Sequence, residues 1–299
     1  MRIEPGTISK EISKTEPVLG THMHYLEKGS GKPILFLHGI PNSSYVWRHV
    51  IPFLSDLGRT IALDLIGMGD SGKPDIEYTV FDHIRYVEAF IDALNLKDIT
   101  LVLHAWGSVI GFDIAMRRPE LFNGIAFVEA QVRPMSNVLM LPLPMQEMLN
   151  LAHDMEGTKK RILESTYFID RFIPAASLHA FTPEEMTEYR RPFLEPGTRK
   201  PLWQFIMDLP KGEKDSPVLQ LIQRYSEALQ HSSLPKLMIY AVPGYNTSME
   251  TVQWAKDHFP HLTLQDVGEA FHYPQEHCPD KVGEALRYWY SKVILKSSK

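Results

Sequence analysis

The sequence predicts an α/β protein with a mostly parallel central sheet, flanking helices and a helical insert. Two observations predict this fold class. Between residues 32 and 130, nearly continuous apolar strand segments alternate with helical segments, which is typical of a parallel sheet covered on both faces. From residue 133 to residue 217, helical patterns and prolines occur without a convincing strand, and strand patterns return at residue 235.

The elements follow one another in the order that such a sheet requires. Buried strands are predicted at 32–39, 99–104 and 122–130, and the segment 59–72 is predicted as a strand that runs into a Gly-rich turn. Helices are predicted at 82–96 and 108–119. After the insert come a strand at 235–244, a helix at 249–259, a strand at 262–268 and a closing amphipathic helix at 278–295. We therefore expect a core formed by 1–132 and 218–299, and a helical cap at 133–217, inserted after the fourth parallel strand.

Composition excludes several classes of partner. The formal net charge is -5 with both signs mixed along the chain, so no basic stripe indicates a nucleic acid or an anionic membrane. The apolar runs are too short to cross a bilayer, and the first residues lack an apolar signal region, so we expect a cytoplasmic monomer. Cys278 is the only cysteine, which excludes an intrachain disulfide and a cysteine-based metal site. We expect no metal and no cofactor.

The stretch "ITLVLHAWGSVIGFDIA" at 99–115 has the layout of a strand, a sharp turn and a helix. This layout presents the nucleophile of many hydrolases, and the small residues Gly107 and Ser108 permit the tight turn. The residue at its tip is Ala105, whose methyl group cannot act as a nucleophile. A loop at 38–48 follows the first buried strand, and His272 follows the last one. This order of elements indicates the α/β-hydrolase fold.

The sequence resembles the haloalkane dehalogenases, a family that includes a coelenterazine luciferase. The resemblance covers nearly the whole chain and includes "FLHGIPNSSYVWR", "ALDLIGMGDSGKPD", "HAWGSVIGFDIA", "GIAFVE", "EEMTEYRRPFLEPGTRKPLW", "PKLMIYAVPG" and "HYPQE". It implies a reaction in which an aspartate at the elbow displaces halide from an alkyl carbon. Water activated by a histidine then hydrolyses the ester, and an acid supports the histidine.

Carried over by position, the resemblance makes His272 the histidine, Glu129 its supporting acid and Trp106 a halide-holding residue. Ala105 occupies the position of the nucleophile, and Ile40 occupies the position of a halide-holding asparagine. Both apolar replacements fall on the step that cleaves the carbon–halogen bond. We therefore expect the native dehalogenase activity to be absent.

The other residues expected to line the pocket are Asn42, Phe168, Phe172, Ile206, Tyr245 and Asn246. Several of them depart from the family pattern, whereas peripheral segments keep it. This concentration of changes favours an engineered pocket over random drift, and a natural relative with changed chemistry is the alternative. His38 and His104 flank the turns of the site and are expected to form structural hydrogen bonds.

Three functions stay open at this level. The first is a dehalogenase scaffold that binds a small apolar or aromatic molecule and lacks its native activity. The second is a catalyst that uses His272 and Glu129 as a base or nucleophile, for ester hydrolysis or proton transfer. The third is a non-catalytic binding protein. In the catalytic case, we expect the Glu129 carboxylate to raise the pKa of His272 above about 6.5.

Overall fold

The structure is a computed structural model that describes residues 12–134, 143, 146, 154–209 and 216–297. These residues form an eight-stranded sheet in the order β1-β2-β4-β3-β5-β6-β7-β8. The strands are β1 (Ser13–Val18), β2 (Thr21–Lys28), β3 (Pro33–Leu37), β4 (Arg59–Leu63), β5 (Ile99–His104), β6 (Phe122–Val128), β7 (Lys236–Pro243) and β8 (Leu262–Ala270). The pairs from β4 to β8 are all parallel, and β2 pairs antiparallel with both β1 and β4. The predicted fold class is confirmed.

The central strands are buried because apolar residues cover both of their faces. Every residue of β3 and β5 is buried, and so is all of β6 except one position. Two helices connect successive strands, α1 (Val80–Ala93) between β4 and β5 and α2 (Trp106–Arg117) between β5 and β6, and Phe112 of α2 meets Phe127 of β6 edge to face. The run of apolar residues in the sequence therefore corresponds to a sheet that is sandwiched between helices.

The remaining helices fall in two groups. Between β6 and β7 lie α3 (Met155–Glu164), α4 (Tyr167–Ala175), α5 (Pro183–Arg190), α6 (Lys200–Asp208) and α7 (Pro217–His231). Beyond β7 lie α8 (Met249–His258), α9 (Pro274–His277), α10 (Pro279–Trp289), a π-helical turn at Tyr290–Ile294 and α11 (Leu295–Ser297). Short 3-10 helices lie at Ser44–Trp47, Ile51–Phe53, Pro119–Leu121, Arg191–Phe193 and Pro196–Arg199. The cap boundaries at 133 and 217 stay predictions.

The sequence analysis did not identify the N-terminal hairpin formed by β1 and β2. A two-residue turn joins the strands, and both of its residues have positive φ: 47° at Leu19 and 80° at Gly20. This combination is a type I′ turn, whose twist matches that of the paired strands. Most side chains of β1 are exposed or only partly buried, so the strand lacks the apolar pattern that identified the others.

Among the residues that the structure describes, no helix is both long and apolar enough to cross a bilayer.

His83 in α1 is a buried polar group without compensation. Its side chain is fully buried, and neither ring nitrogen has a hydrogen-bond partner in the described part of the chain. Burial lowers the pKa of His83 to about 3. The unfolded chain therefore takes up a proton on this histidine near pH 6.5 while the folded chain does not, and stability falls as the pH falls from about 6.5 towards about 3.

We predict that His83→Leu reduces the loss of stability in acid. One pH unit corresponds to about 1.4 kcal/mol, so the variant should lose about 2 kcal/mol less than the parent between about pH 6.5 and about pH 5. Denaturant unfolding at the two pH values measures the difference. His231→Leu is the control, because it replaces an exposed histidine, and this variant should lose as much stability as the parent over the same pH range. Equal losses in His83→Leu and the parent would contradict the assignment.

Candidate active site

The strand–turn–helix at residue 105 has the backbone of a nucleophile elbow. Ala105 follows β5 with φ 49° and ψ -121°, and α2 begins at the next residue, Trp106. A positive φ is uncommon outside glycine and costs on the order of 1–3 kcal/mol. The strained turn is therefore present although its side chain is only a methyl group.

Neighbouring residues with small side chains leave room for this turn. A Cβ atom on Gly39 would lie 2.6 Å from the Cβ of Ala105, and one on Gly107 would lie 2.6 Å from two carbonyl oxygens at the end of β3. The Ser108 hydroxyl donates to the Ala105 carbonyl at 2.6 Å and accepts from the Gln131 amide at 2.9 Å. Packing and hydrogen bonds thus fix the elbow without help from the side chain of residue 105.

His272 and Glu129 form a buried pair. The distance from His272 Nδ1 to Glu129 Oε2 is 3.2 Å, and both side chains are almost completely buried. The same carboxylate oxygen accepts hydrogen bonds from the backbone amides of Tyr245, at 3.1 Å, and Asn246, at 2.6 Å. One carboxylate therefore ties together the ends of three neighbouring strands, β6, β7 and β8.

The expected direction of the pKa shift on His272 is wrong. Burial lowers the pKa of His272 to about 3. Burial also raises the pKa of Glu129 to about 7, although the amides of Asn246 and Tyr245 oppose this effect. Removing both groups from water disfavours both charged forms, so the pair titrates as a unit and is neutral at moderately acidic pH.

Aromatic rings surround this pair. The rings of Phe172 and Tyr245 lie 5.8 Å and 4.9 Å from the ring of His272, and they meet each other edge to face at 5.8 Å. Phe168 stacks on Phe172 at 5.4 Å. Because α4 carries both phenylalanines and His272 N donates to the carbonyl of Ala176 at 2.9 Å, the cap helix is fixed directly against the histidine loop.

The other predicted residues lie around the elbow. Trp106 meets Phe205 of α6 edge to face at 5.1 Å, and the next residue, Ile206, is completely buried. Ile40 is buried, and it directly follows Gly39, the glycine that packs against Ala105 of the elbow.

Two predicted contact residues, Asn246 and Asn42, differ in the hydrogen bonds of their side chains. Asn246 Nδ2 donates to the Glu129 carbonyl at 3.2 Å, so this side chain helps to hold the acid. Asn42 is buried, and neither its Nδ2 nor its Oδ1 has a hydrogen-bond partner among the described residues. Contact of any of these residues with a ligand stays a prediction.

Comparison with known proteins places this arrangement in a family. Residues 32–277 match the alpha/beta hydrolase fold family. The chain is 37% identical over 282 residues to a haloalkane dehalogenase of Mesorhizobium japonicum, covering 93% of this chain and 91% of the relative. It is 33% identical over 277 residues to a haloalkane dehalogenase of Agrobacterium fabrum, with 93% and 91% of the two chains covered. This chain belongs to the haloalkane dehalogenase family.

Solved structures of haloalkane dehalogenases agree with this assignment. The crystal structure of the enzyme from Bradyrhizobium elkani superposes with a TM-score of 0.91 at 33% identity, covering 96% of this chain and 99% of that chain. The enzyme from Agrobacterium tumefaciens superposes with a TM-score of 0.87 at 34% identity, with 94% and 96% covered. The haloalkane dehalogenase scaffold therefore extends over both the sheet and the helices above it.

His38 and His104 form structural hydrogen bonds, as predicted. The Leu65 amide donates to His38 Nε2 at 3.0 Å, so Nδ1 carries the proton and donates to the Gly39 carbonyl at 2.7 Å. His104 Nε2 lies 2.7 Å from the His272 carbonyl oxygen and donates to it. Burial lowers the pKa of both histidines, which keeps them neutral at physiological pH.

The described residues include two groups with the geometry to hold a metal ion: His24, Asp64 and Asp70 in one, and His49, Glu185 and Glu276 in the other. In each group, protein cations already bind carboxylates. Arg191 pairs with Asp70, and the Arg48 guanidinium pairs with Glu185 and Glu276. The chemistry of these groups therefore does not require a metal.

Sequence reasoning missed the ion pairs that join the cap to the core. Arg48 lies after β3 and is buried, and its guanidinium binds both carboxylate oxygens of Glu276, at 2.5 and 2.9 Å, and Glu185 of α5 at 3.1 Å. The hydroxyl of Tyr189 in α5 also donates to Glu276. The available signal was a lone arginine in the apolar segment "YVWRHVIPF", because a buried charge requires partners.

We predict that Gly39→Ala destabilises this haloalkane dehalogenase scaffold by about 1–3 kcal/mol, because the added methyl group would overlap with the Cβ of Ala105. Gly39→Ala combined with Ala105→Gly should recover part of that loss, since it removes the overlapping atom and relieves the positive φ. Gly197→Ala is the control, because a Cβ there meets nothing within 4 Å. Denaturant unfolding gives the free energy of unfolding of the parent and of these variants. A double variant that is no more stable than Gly39→Ala would contradict the predicted overlap between the two Cβ atoms.

Proposed function

We propose that this dehalogenase-family chain binds a small apolar or aromatic molecule between the elbow and the cap and does not cleave carbon–halogen bonds. The observation that carries the proposal is Ala105, a methyl group at the tip of a complete nucleophile elbow. A nucleophile must supply an electron pair to the alkyl carbon as the halide departs. The methyl group has none, so the ester intermediate cannot form.

A second replacement affects the leaving group. In the reaction of the family, two donors stabilise the departing halide, and Ile40 removes one of them. A preorganised donor of this kind contributes about 3 kcal/mol to transition-state stabilisation. Loss of both the nucleophile and a donor leaves no efficient route through the native reaction.

The same replacements make the site suitable for an apolar ligand. Ile40, Ala105 and Trp106 present apolar surface on the core side, and the phenylalanines of α4 present it on the cap side. Burial of such surface contributes about 25 cal/mol for each Å² removed from water. The monomeric state, the cytoplasmic location and the engineered origin of the pocket stay predictions.

A second candidate function is proton transfer or hydrolysis of an activated ester. The contact of 3.2 Å between His272 Nδ1 and Glu129 Oε2 favours it, because this contact orients a neutral imidazole. Nε2 would then take a proton from water or from an acidic C–H group, and an ionised Glu129 would stabilise the imidazolium that forms.

We predict that Ala105→Asp together with Ile40→Asn restores bromide release from 1-bromohexane, whereas the parent chain releases none. The introduced carboxylate would lie at the N-cap position of α2, where the helix dipole and free amides favour a negative charge. Ala105→Asp alone, which lacks the second halide donor, should release bromide roughly a hundredfold more slowly than the double variant, and Ile40→Asn alone, which lacks the nucleophile, should release none. Bromide is measured by ion chromatography after incubation with 1-bromohexane.

The matched control is Ala105→Asn with Ile40→Asn, which has the same shape but no carboxylate, and it should be inactive. Tryptophan fluorescence titration with 1-bromohexane tests binding in the parent chain and in both double variants. Bromide release by the parent chain that disappears in His272→Ala would contradict the proposal. A folded Ala105→Asp, Ile40→Asn variant that binds the bromoalkane without turnover would contradict the assignment of the nucleophile position.

If the second candidate function is correct, hydrolysis of p-nitrophenyl acetate that depends on His272 should rise with pH through about 7. The rise reflects ionisation of Glu129, whose pKa burial raises to about 7, because His272 is already neutral above its own lowered pKa of about 3. Glu129→Gln should remove the rise near pH 7 and lower the plateau, while His272→Ala should abolish the activity. If the hydrolysis rate of Glu129→Gln still rises near pH 7, then the rise reflects the titration of a group other than Glu129.

A further inference from the structure

Ser13, His24 and Asp64 form a chain of hydrogen bonds on the opposite side of β4 from the elbow. The distance from Ser13 Oγ to His24 Nε2 is 2.8 Å, and the distance from His24 Nδ1 to Asp64 Oδ2 is 2.7 Å. Asp64 is ionised, so Nδ1 carries the proton and the neutral ring accepts the serine proton at Nε2. These contacts have the order and the atoms of a serine–histidine–aspartate triad.

The register of the N-terminal hairpin brings these three residues together. Ser13 pairs with Leu26 and Thr15 pairs with His24, so the serine and the histidine are diagonal neighbours on one face of the hairpin. The end of β4 pairs with the residue that follows His24, which places Asp64 beside the histidine, and the Asp64 amide donates to the His24 carbonyl at 2.9 Å. The arrangement therefore depends on the hairpin that the sequence analysis missed.

The triad borders a cavity of about 250 Å³. Ser13 is exposed, whereas His24 and Asp64 are buried, as in a site where only the nucleophile meets the substrate. Leu26 and Tyr45 add apolar surface to the wall of this cavity. Its size suits a small ester of one ring or a short alkyl chain.

We propose that Ser13, His24 and Asp64 form a second, serine-type nucleophilic site that takes an acyl group from small, uncharged activated esters. Ser13 Oγ attacks the carbonyl carbon while its proton passes to His24 Nε2. The carbon–oxygen bond to the leaving alcohol then breaks, and the alcohol leaves with the proton from His24. Water hydrolyses the acyl–serine through the same proton transfers, which releases the acid and regenerates Ser13.

The charges around the histidine suit this role. Burial and the charge of Arg191 act to lower the pKa of His24. The hydrogen bond and charge of Asp64 and the charge of Asp70 act to raise it, and they outweigh the other two effects, so the pKa of His24 is raised. His24 and the backbone amide of Ser44 overcome the effect of burial and hold the pKa of Asp64 at about 2, so this carboxylate stays ionised. An ionised partner is what a histidine needs to accept the serine proton.

The rest of the cavity determines which substrates fit. Arg191 pairs with both Asp70 and Glu188, so one cation faces two carboxylates, and the net negative charge of the rim disfavours an anionic substrate. Ser43 and Ser44 line the cavity and supply hydroxyl donors for the oxygen of the tetrahedral intermediate. Both ring nitrogens of His24 are already hydrogen-bonded, to Ser13 and to Asp64, which favours a nucleophilic role for these residues over binding of a metal ion.

The test is covalent labelling of the full chain with a biotin-linked alkyl fluorophosphonate, followed by peptide mass spectrometry. The serine oxygen displaces fluoride from phosphorus, so the adduct marks the attacking residue. We expect an adduct on Ser13 in the parent chain and none in Ser13→Ala. His24→Gln should label at least about 100-fold more slowly, because the general base is removed. His272→Ala should label as the parent does, which separates this site from the elbow.

Thr15→Ala is the matched control, since it removes a hydroxyl from the same face of β1, and it should label at the parent rate. Circular dichroism and thermal unfolding establish that each variant is folded. Absence of an adduct on Ser13 in the folded parent chain would overturn the proposal and leave the three residues with a structural role only. An adduct that forms equally fast in His24→Gln, or that lies on Ser43 or Ser44, would overturn it as well.

Discussion

The parallel direction of the strands from β4 to β8 is the constraint on which the candidate active site depends. Because parallel strands connected by helices run the same way, their carboxyl ends all meet at one edge of the sheet. Residues far apart in sequence therefore converge there: Ile40 after β3, Ala105 after β5, Glu129 after β6 and His272 after β8. The elbow, the acid and the histidine owe their proximity to this geometry, and their local sequences only determine which group each strand presents.

Burial sets the chemistry at this edge. Ala105 and Glu129 both adopt a positive φ, of 49° and 52°, directly after their strands. Such conformations persist only where the surroundings enforce them, and here close packing of glycines and a set of backbone amides does so. The frame of a covalent catalyst thus keeps its shape although the nucleophile is absent. The surrounding aromatic rings that exclude water from His272 also make its charged form costly, which explains why its pKa falls despite a neighbouring carboxylate.

The helices above the site are attached to the core through buried charge. Arg48 binds Glu276 from the core and Glu185 from α5, and its guanidinium also stacks over the Tyr45 ring at 3.8 Å. A bidentate, stacked arginine satisfies both carboxylates in a region with little water, so removal of one partner would leave an uncompensated charge. The cluster holds α5, and Arg190 of α5 pairs with Asp170 of α4, so Phe168 and Phe172 of α4 keep a defined position over the histidine of the site.

The sequence by itself determined the fold class, because apolar periodicity reports burial directly. It also indicated the elbow, since Gly107 and Ser108 after the strand at 99–104 permit a tight turn, and the family resemblance then assigned the tip alanine, the acid and the histidine to positions that follow strands. β1 could not be predicted, because an edge strand with exposed side chains carries no apolar pattern. Only the tertiary structure decided the direction of the pKa shift on His272, the partners of Arg48 and the alignment of the serine, histidine and aspartate around the second cavity. Each of these depends on distance and burial between segments far apart in the chain, which no local pattern of residues records.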